Sequence, residues 1–240
     1  MDSLENFPPT LNKSSGPVFD RPKLILFDLD GTLVDSVPDL AWCIDQMLVK
    51  LALAPQGEDK VRLWVGNGVK NLVSRAIHIS SETEPDAMQI DQALGIFNAL
   101  YLEHFAVNTR AYEGVPSFLG FLKSTQIHIG CVTNKAEKFT LPLLEKLGLS
   151  CYFETIICGD TLDRMKPDPL PLITAAKNFS VSPSSSLMVG DSVSDVKAAR
   201  SAGFGIVCMS YGYNHGEDIR LTKPDAVIDS MRELEDIIDW

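Results

Sequence analysis

The 240-residue chain is 45% hydrophobic and 22% charged, a balance that excludes a collagen-like or intrinsically disordered protein. Its 32 acidic residues against 21 basic ones leave a net charge of −11, which argues against nucleic acid or an anionic membrane as a partner. The same excess leaves room for a small anion held at one local positive site.

Residues 1–21 are rich in Pro, Ser and Asn and lack periodicity, so a loose extension is expected there. Asp2, Glu5, Pro8 and Pro9 do not resemble a signal peptide, and no apolar run approaches the ~20 residues of a membrane helix, so a cytoplasmic protein is expected. Short apolar, β-favouring runs follow at Lys23 to Asp28, Ile127 to Thr133, Thr155 to Gly159, Leu187 to Asp191, Gly205 to Met209 and Ala226 to Ile228. Continuous runs of this kind suit strands buried on both faces of a parallel sheet. Helical patterns lie between the later ones, at Val115 to Lys123, Ala136 to Leu147, Pro169 to Asn178 and Ser194 to Ala202. Gly148 and Gly203 stand just past helix ends, where a left-handed cap is favoured. The alternation predicts an α/β fold with a doubly wound, Rossmann-like parallel sheet.

One interval breaks the alternation. About 100 residues separate the first two strands, whereas a βαβ unit needs only ~30. The surplus reads as helix, with Leu40, Ile44, Met47, Leu48 and Leu51 on one face and Val69, Leu72, Val73, Ala76 and Ile77 on another. An all-helical cap domain over 36–110 is therefore expected, inserted into a core formed by 22–35 and 111–240, with linkers at Asp35 to Pro38 and Asn108 to Pro116. Ligands of open α/β sheets bind outside the carboxyl ends of the strands, so an insertion leaving from that edge would hang over the site. The five cysteines, Cys43, Cys131, Cys151, Cys158 and Cys208, include no C-x-x-C pair and are expected as reduced, buried thiols.

The first strand ends in Asp28-Leu29-Asp30-Gly31-Thr32, and residues two apart in extended chain point the same way. The fourth ends in Gly190-Asp191-Ser192, with Asp195 one helical turn later. If these strands are neighbours, four carboxylates converge, and a divalent cation relieves their repulsion. Hard oxygen ligands suit magnesium. Thr133-Asn134 and Lys166-Pro167 follow two other strands. With a metal and Lys166 such a site can hold a phosphate, and a carboxylate nucleophile can split phosphoester hydrolysis through an aspartyl-phosphate. An EF-hand is excluded because its loop requires a glutamate where Asp39 stands.

Asp28-Leu29-Asp30-Gly31-Thr32-Leu33, Val132-Thr133-Asn134, Lys166-Pro167 and Gly190-Asp191-Ser192-Val193-Ser194-Asp195 resemble, in order, the four motifs of the haloacid dehalogenase-like hydrolase superfamily. The resemblance implies Asp28 as nucleophile and Asp30 as general acid/base. Thr133 would bind a phosphoryl oxygen with Asn134 beside it, and Lys166 would stabilise the transferred group. Mg2+ would be held by Asp28, the main-chain carbonyl of Asp30, and Asp191. Asp195 would either support the metal through water or orient Lys166. Dehalogenating members lack an acid equivalent to Asp30, so its presence points to phosphoryl chemistry.

Val34-Asp35-Ser36-Val37-Pro38-Asp39-Leu40, Val65-Gly66-Asn67-Gly68-Val69 and Tyr211-Gly212-Tyr213-Asn214 further resemble bacterial phosphoglycolate phosphatases. That likeness implies 2-phosphoglycolate as substrate and a helical cap. Gly66 and Asn67 are candidate substrate contacts, because glycines before a helix expose amides to an anion. A phosphatase or mutase for a sugar phosphate is the alternative within the superfamily. An Asp28-phosphorylated signalling module is the alternative outside it, and it needs neither a cap nor Asp30. The expected partner is a small phosphorylated metabolite, acted on by a monomer or homodimer.

Overall fold

The structure is a computed structural model and describes residues 17–66 and 68–240. Its elements in chain order begin with β1 (Phe19–Asp20), β2 (Leu24–Phe27) and β3 (Val34–Asp35). Four helices follow: α1 (Val37–Lys50), α2 (Glu58–Arg62), α3 (Val69–Ser81) and α4 (Ala87–His104). Then come β4 (Arg110–Ala111), α5 (Val115–Lys123), β5 (His128–Val132), α6 (Glu137–Lys146) and β6 (Thr155–Ile157). The remainder is α7 (Leu170–Asn178), β7 (Ser186–Gly190), α8 (Val193–Ala202), β8 (Gly205–Met209), β9 (Ala226–Ile228), α9 (Leu234–Ile237) and β10 (Ile238–Asp239).

The six apolar runs all enter one parallel sheet of order β6-β5-β2-β7-β8-β9, so the predicted doubly wound α/β fold is present. Alternate residues of each strand face opposite sides. Ile25, Phe27, Ile129, Cys131, Leu187 and Val189 join the core beneath α5 and α9, while Leu24, Leu26, Val132, Met188 and Ile206 join the one beneath α7 and α8. The helix stops at Gly148 and Gly203 take φ of 69° and 78°, as the sequence requires. No helix among the described residues is long and apolar enough to cross a membrane.

Helices α1 to α4 build a third buried cluster, in which Ile44, Met47, Val73, Ala76 and Phe97 meet Phe139 and Tyr213 from beyond the helical stretch. The segments leading into and out of these helices lie side by side: β3 pairs antiparallel with β4, Asp35 opposite Arg110. Asp39, fully buried in the first turn of α1, accepts hydrogen bonds from the Asn108 and Thr109 amides and from the Thr109 hydroxyl at 2.7–3.0 Å.

Two expectations need correcting. Most of the extension expected over 1–21 lies outside the described residues, but within them Phe19–Asp20 pairs parallel with Ile238–Asp239 instead of trailing loose. Of the five cysteines, Cys151 is exposed, because it sits in a surface turn after α6 rather than on a strand.

Candidate active site

Strand register brings the motifs together. Phe27 is level with Cys131 on one neighbour and Val189 on the other, so Asp28, the residue after β2, comes level with Val132 and Gly190, which end β5 and β7. Thr133 and Asp191 stand one residue further out. Strands in a sheet lie about 4.8 Å apart, so side chains leaving this edge are forced within reach of each other. The loop after β6 brings Lys166 over the same edge, where Asn134 Nδ2 donates to the Lys166 carbonyl at 2.8 Å.

Lys166 is the centre of the cluster. Its side chain is 1% exposed, and its ammonium lies 2.9 Å from Asp28 Oδ1, 2.6 Å from Asp195 Oδ1 and 2.7 Å from the Val132 carbonyl. Burial opposes the lysine charge, but Asp195 and Asp28 together hold its pKa above the ordinary value. Asp195 is fully buried, and its second oxygen accepts from the Ser192 hydroxyl at 2.7 Å and from the Ser192 and Asp191 amides at 3.0 and 3.2 Å. Both Asp195 oxygens are therefore occupied by donors.

Asp191 Oδ1 accepts from the Thr32 hydroxyl at 2.8 Å, and Oδ2 accepts from the Tyr213 amide at 2.6 Å. These contacts give each Asp191 oxygen a donor from a separate loop and so restrain its rotamer. Burial pushes the Asp28 carboxyl up to about 7, with Lys166 lowering it and Asp195 raising it. Burial pushes Asp191 well above the carboxylate range, and the charges of Asp28 and Asp195 push the same way. One oxygen from each of Asp28, Asp191 and Asp195 lies within 4.8 Å of the others. Crowded, buried, hard oxygen donors of this kind fit a divalent cation such as Mg2+.

Asp30 is placed differently. Its carboxylate turns away from this cluster and accepts from Lys135 Nζ at 3.0 and 3.1 Å. The implied metal contact of Asp30 involves its main-chain carbonyl, so the two arrangements are compatible. Thr133, Asn134, Lys166, Asp28 and Asp30 all line one cavity of about 430 Å³, whose other wall is built by Leu40, Val65, Gly66, Val69, Phe97 and Tyr101 from the helical stretch. Gly66 thus reaches the cavity, whereas Asn67 lies outside the described residues.

The sequence assigned no role to Lys135, Thr32 or Ser192, and marked Tyr213 only as part of the Tyr211 to Asn214 segment. Thr32 and Ser192 sit inside quoted motifs, and their hydroxyls next to acidic residues were the available signal. Lys135 directly follows Asn134, but nothing local marks it as buried. Tyr213 reaches Asp191 across 22 residues, a contact that only the fold reveals.

A family model for haloacid dehalogenase-like hydrolases matches residues 25–209. The phosphoglycolate phosphatase of Nitrosococcus oceani is 53% identical over 91% of this chain and 97% of its own length. That of Pseudomonas fluorescens is 48% identical over 89% of this chain and 78% of its own. The crystal structure of a predicted phosphoglycolate phosphatase from Haemophilus somnus superposes with a TM-score of 0.86 at 35% identity, covering 90% of this chain and 97% of that one. The chain belongs to the haloacid dehalogenase-like hydrolase family and is a phosphoric monoester hydrolase.

Proposed function

We propose that the chain hydrolyses 2-phosphoglycolate to glycolate and phosphate through an aspartyl-phosphate on Asp28. The observation that carries this reading is the Asp28 carboxylate held 2.9 Å from the buried Lys166 ammonium at the meeting of β2, β5 and β7. The names of the two relatives above support the choice of substrate.

In this mechanism an Asp28 oxygen attacks phosphorus while the bond to the bridging oxygen breaks. Asp30, on the same loop and facing the cavity, gives its proton to the departing alkoxide, which leaves as glycolate. Asp30 then takes a proton from water, whose oxygen attacks the aspartyl-phosphate and releases phosphate, restoring Asp28. Lys166, the Thr133 hydroxyl and Asn134 hold the phosphoryl oxygens, and Asp195 orients Lys166. Asp28, Asp191 and the Asp30 carbonyl would hold Mg2+, which supplies charge neutralisation at phosphorus. Residues 36–110 act as a cap over a core of 22–35 and 111–240, and their closure excludes bulk water from the transfer.

A panel of phosphorylated metabolites assayed with and without Mg2+ tests the substrate, with 2-phosphoglycolate expected to give the highest kcat/KM. Asp28→Asn is expected to abolish turnover while circular dichroism and melting remain those of a folded protein. Undiminished turnover in that variant refutes the mechanism.

A further inference from the structure

Among the described residues three lysines line the cavity: Lys70, Lys135 and Lys166. Lys166 directs its donors to Asp28, Asp195 and the Val132 carbonyl, all within the phosphoryl seat. Lys70 lies exposed in the first turn of α3. Lys135 remains, and its placement is unusual for a lysine. Its side chain is 7% exposed, its ammonium donates to both oxygens of Asp30, and the ring of Tyr101 on α4 stands 5.0 Å away. The sheet edge contributes Lys135 and the helical stretch contributes the ring, so the ammonium lies where the two walls of the cavity meet.

The chemistry of the substrate sets where its second anionic group must fall. An acid that protonates the bridging oxygen has to touch that oxygen, so Asp30 marks its position. In a phosphorylated 2-hydroxy acid the carboxylate carbon is only two bonds beyond that oxygen. The group in direct contact with Asp30 on the cavity wall is Lys135. The same cavity is lined by the apolar side chains of Leu40, Phe97 and Phe139 and by the Tyr101 ring, and a carboxylate placed against those alone would be costly to desolvate.

We propose that Lys135 is the specificity-determining residue of this site, its ammonium receiving the carboxylate of the substrate while the phosphoryl group rests between Asp28, Thr133 and Lys166. A lysine has three donors, so Lys135 can keep one on Asp30 while it turns another to the substrate. The ring of Tyr101 contributes a second, weaker attraction that holds the ammonium in place. This inference rests on the 2-phosphoglycolate reading above. It predicts selection by charge: a substrate of equal size without the carboxylate leaves Lys135 with Asp30 alone.

The test compares 2-phosphoglycolate with ethyl phosphate, which replaces the carboxylate by a methyl group. The wild-type enzyme, Lys135→Met, Lys135→Gln and Lys135→Arg are assayed, each first checked for a cooperative melt. Lys135→Gln keeps a polar N–H on the Asp30 side without carrying charge, so it remains informative if Lys135→Met fails to fold. The quantity read is the ratio of kcat/KM for the two substrates. A charged hydrogen bond lost from a buried site is expected to lower that ratio at least tenfold in the Met and Gln variants, with Arg restoring part of it. Competitive inhibition by glycolate is expected to weaken in parallel. If the variants lose activity on both substrates equally and keep the ratio, Lys135 serves only Asp30 and the proposal is overturned. If the wild-type enzyme shows no preference for 2-phosphoglycolate over ethyl phosphate, the substrate reading itself falls and takes this inference with it.

Discussion

Replacing Asp195 by asparagine tests whether the buried Lys166 charge depends on that carboxylate. Neither side chain has appreciable exposed surface, and the Nζ to Oδ1 distance is 2.6 Å. Every group that faces Asp195 is a donor: Lys166 on one oxygen, and the Ser192 hydroxyl with the Ser192 and Asp191 amides on the other. Asparagine fills the same volume, but one of its two arms is an NH2 that accepts nothing. Whichever way the amide turns, a donor meets a donor. Breaking a buried pair by removing one charge costs about 3–5 kcal/mol. A chain of this size loses roughly 2–4 °C in Tm per kcal/mol, so Asp195→Asn is expected to melt about 10 °C below wild type in chelator. A mispositioned Lys166 should also lower kcat by about 10²-fold, the loss typical of one preorganised donor. The double variant with Lys166→Met should lose less than the sum of the single variants, because the charge that needed the partner is gone. Differential scanning calorimetry and urea titration measure the two stability outcomes, and a steady-state phosphatase assay measures kcat. An Asp195→Asn protein melting within about 2 °C of wild type would show that Asp28 alone balances Lys166.

Three further outcomes follow from the same geometry. With its carboxyl pushed up to about 7, folded Asp28 keeps a proton that the unfolded chain releases near pH 4, so the metal-free protein should lose stability as pH rises between those values. Melting scans in chelator, read as wild type minus Asp28→Asn, should grow more negative toward pH 7, and a difference of the opposite slope contradicts the account; Mg2+ at pH 7 should raise the wild-type Tm. A side chain on Gly212 would overlap Cβ and Oδ2 of Asp191, so Gly212→Ala should weaken Mg2+ binding about fivefold or more by calorimetry, and a wild-type isotherm would rule the overlap unimportant. The Tyr213 phenol donates to Asp35 and accepts from the Ser36 amide at 3.1 Å, so Tyr213→Phe leaves a buried amide unpaired and should cost about 1–3 kcal/mol in urea titration, with an unchanged midpoint as the refuting result.

The large sheet was legible because each of its strands is an unbroken apolar run closed by a loop residue, and burial on both faces imposes that pattern. The helical stretch was legible for a related reason: a one-sided apolar stripe at helical spacing has to pack against something. The two-residue strands were not. Phe19–Asp20 and Ile238–Asp239 are too short for any alternation to appear, and their pairing joins opposite ends of the chain. Three of the four carboxylates expected to converge do so, Asp28 at a strand end beside Asp191 and Asp195 one helical turn apart, whereas Asp30, two residues from Asp28, pairs with Lys135 instead. Which oxygen faces which donor was not legible, since Asp195 meets Lys166 across 29 residues. Lys135 shows the limit most clearly. A lysine after a strand end reads as solvated, and what buries it comes from Asp30, 105 residues earlier, and from Tyr101 on α4.

That limit bears on how an acidic protein handles an acidic substrate. Three of the four carboxylates, Asp28, Asp30 and Asp195, lie about 3 Å from an ammonium group of Lys135 or Lys166, and Asp191 stands in the same cluster as Asp28 and Asp195. With Asp30 holding the proton it gives to the leaving group and the other three ionised, the site carries one uncompensated negative charge, which a divalent cation would more than cancel. A phosphate ester therefore meets a site near neutrality, whatever the −11 of the whole chain. Other surface charges beyond a Debye length, about 8–10 Å, contribute little to that encounter. On the reading proposed above, selection among phosphate esters is then left to directional donors: Lys166, Thr133 and Asn134 for the phosphoryl group, which all such esters share, and Lys135 for the one group that distinguishes them.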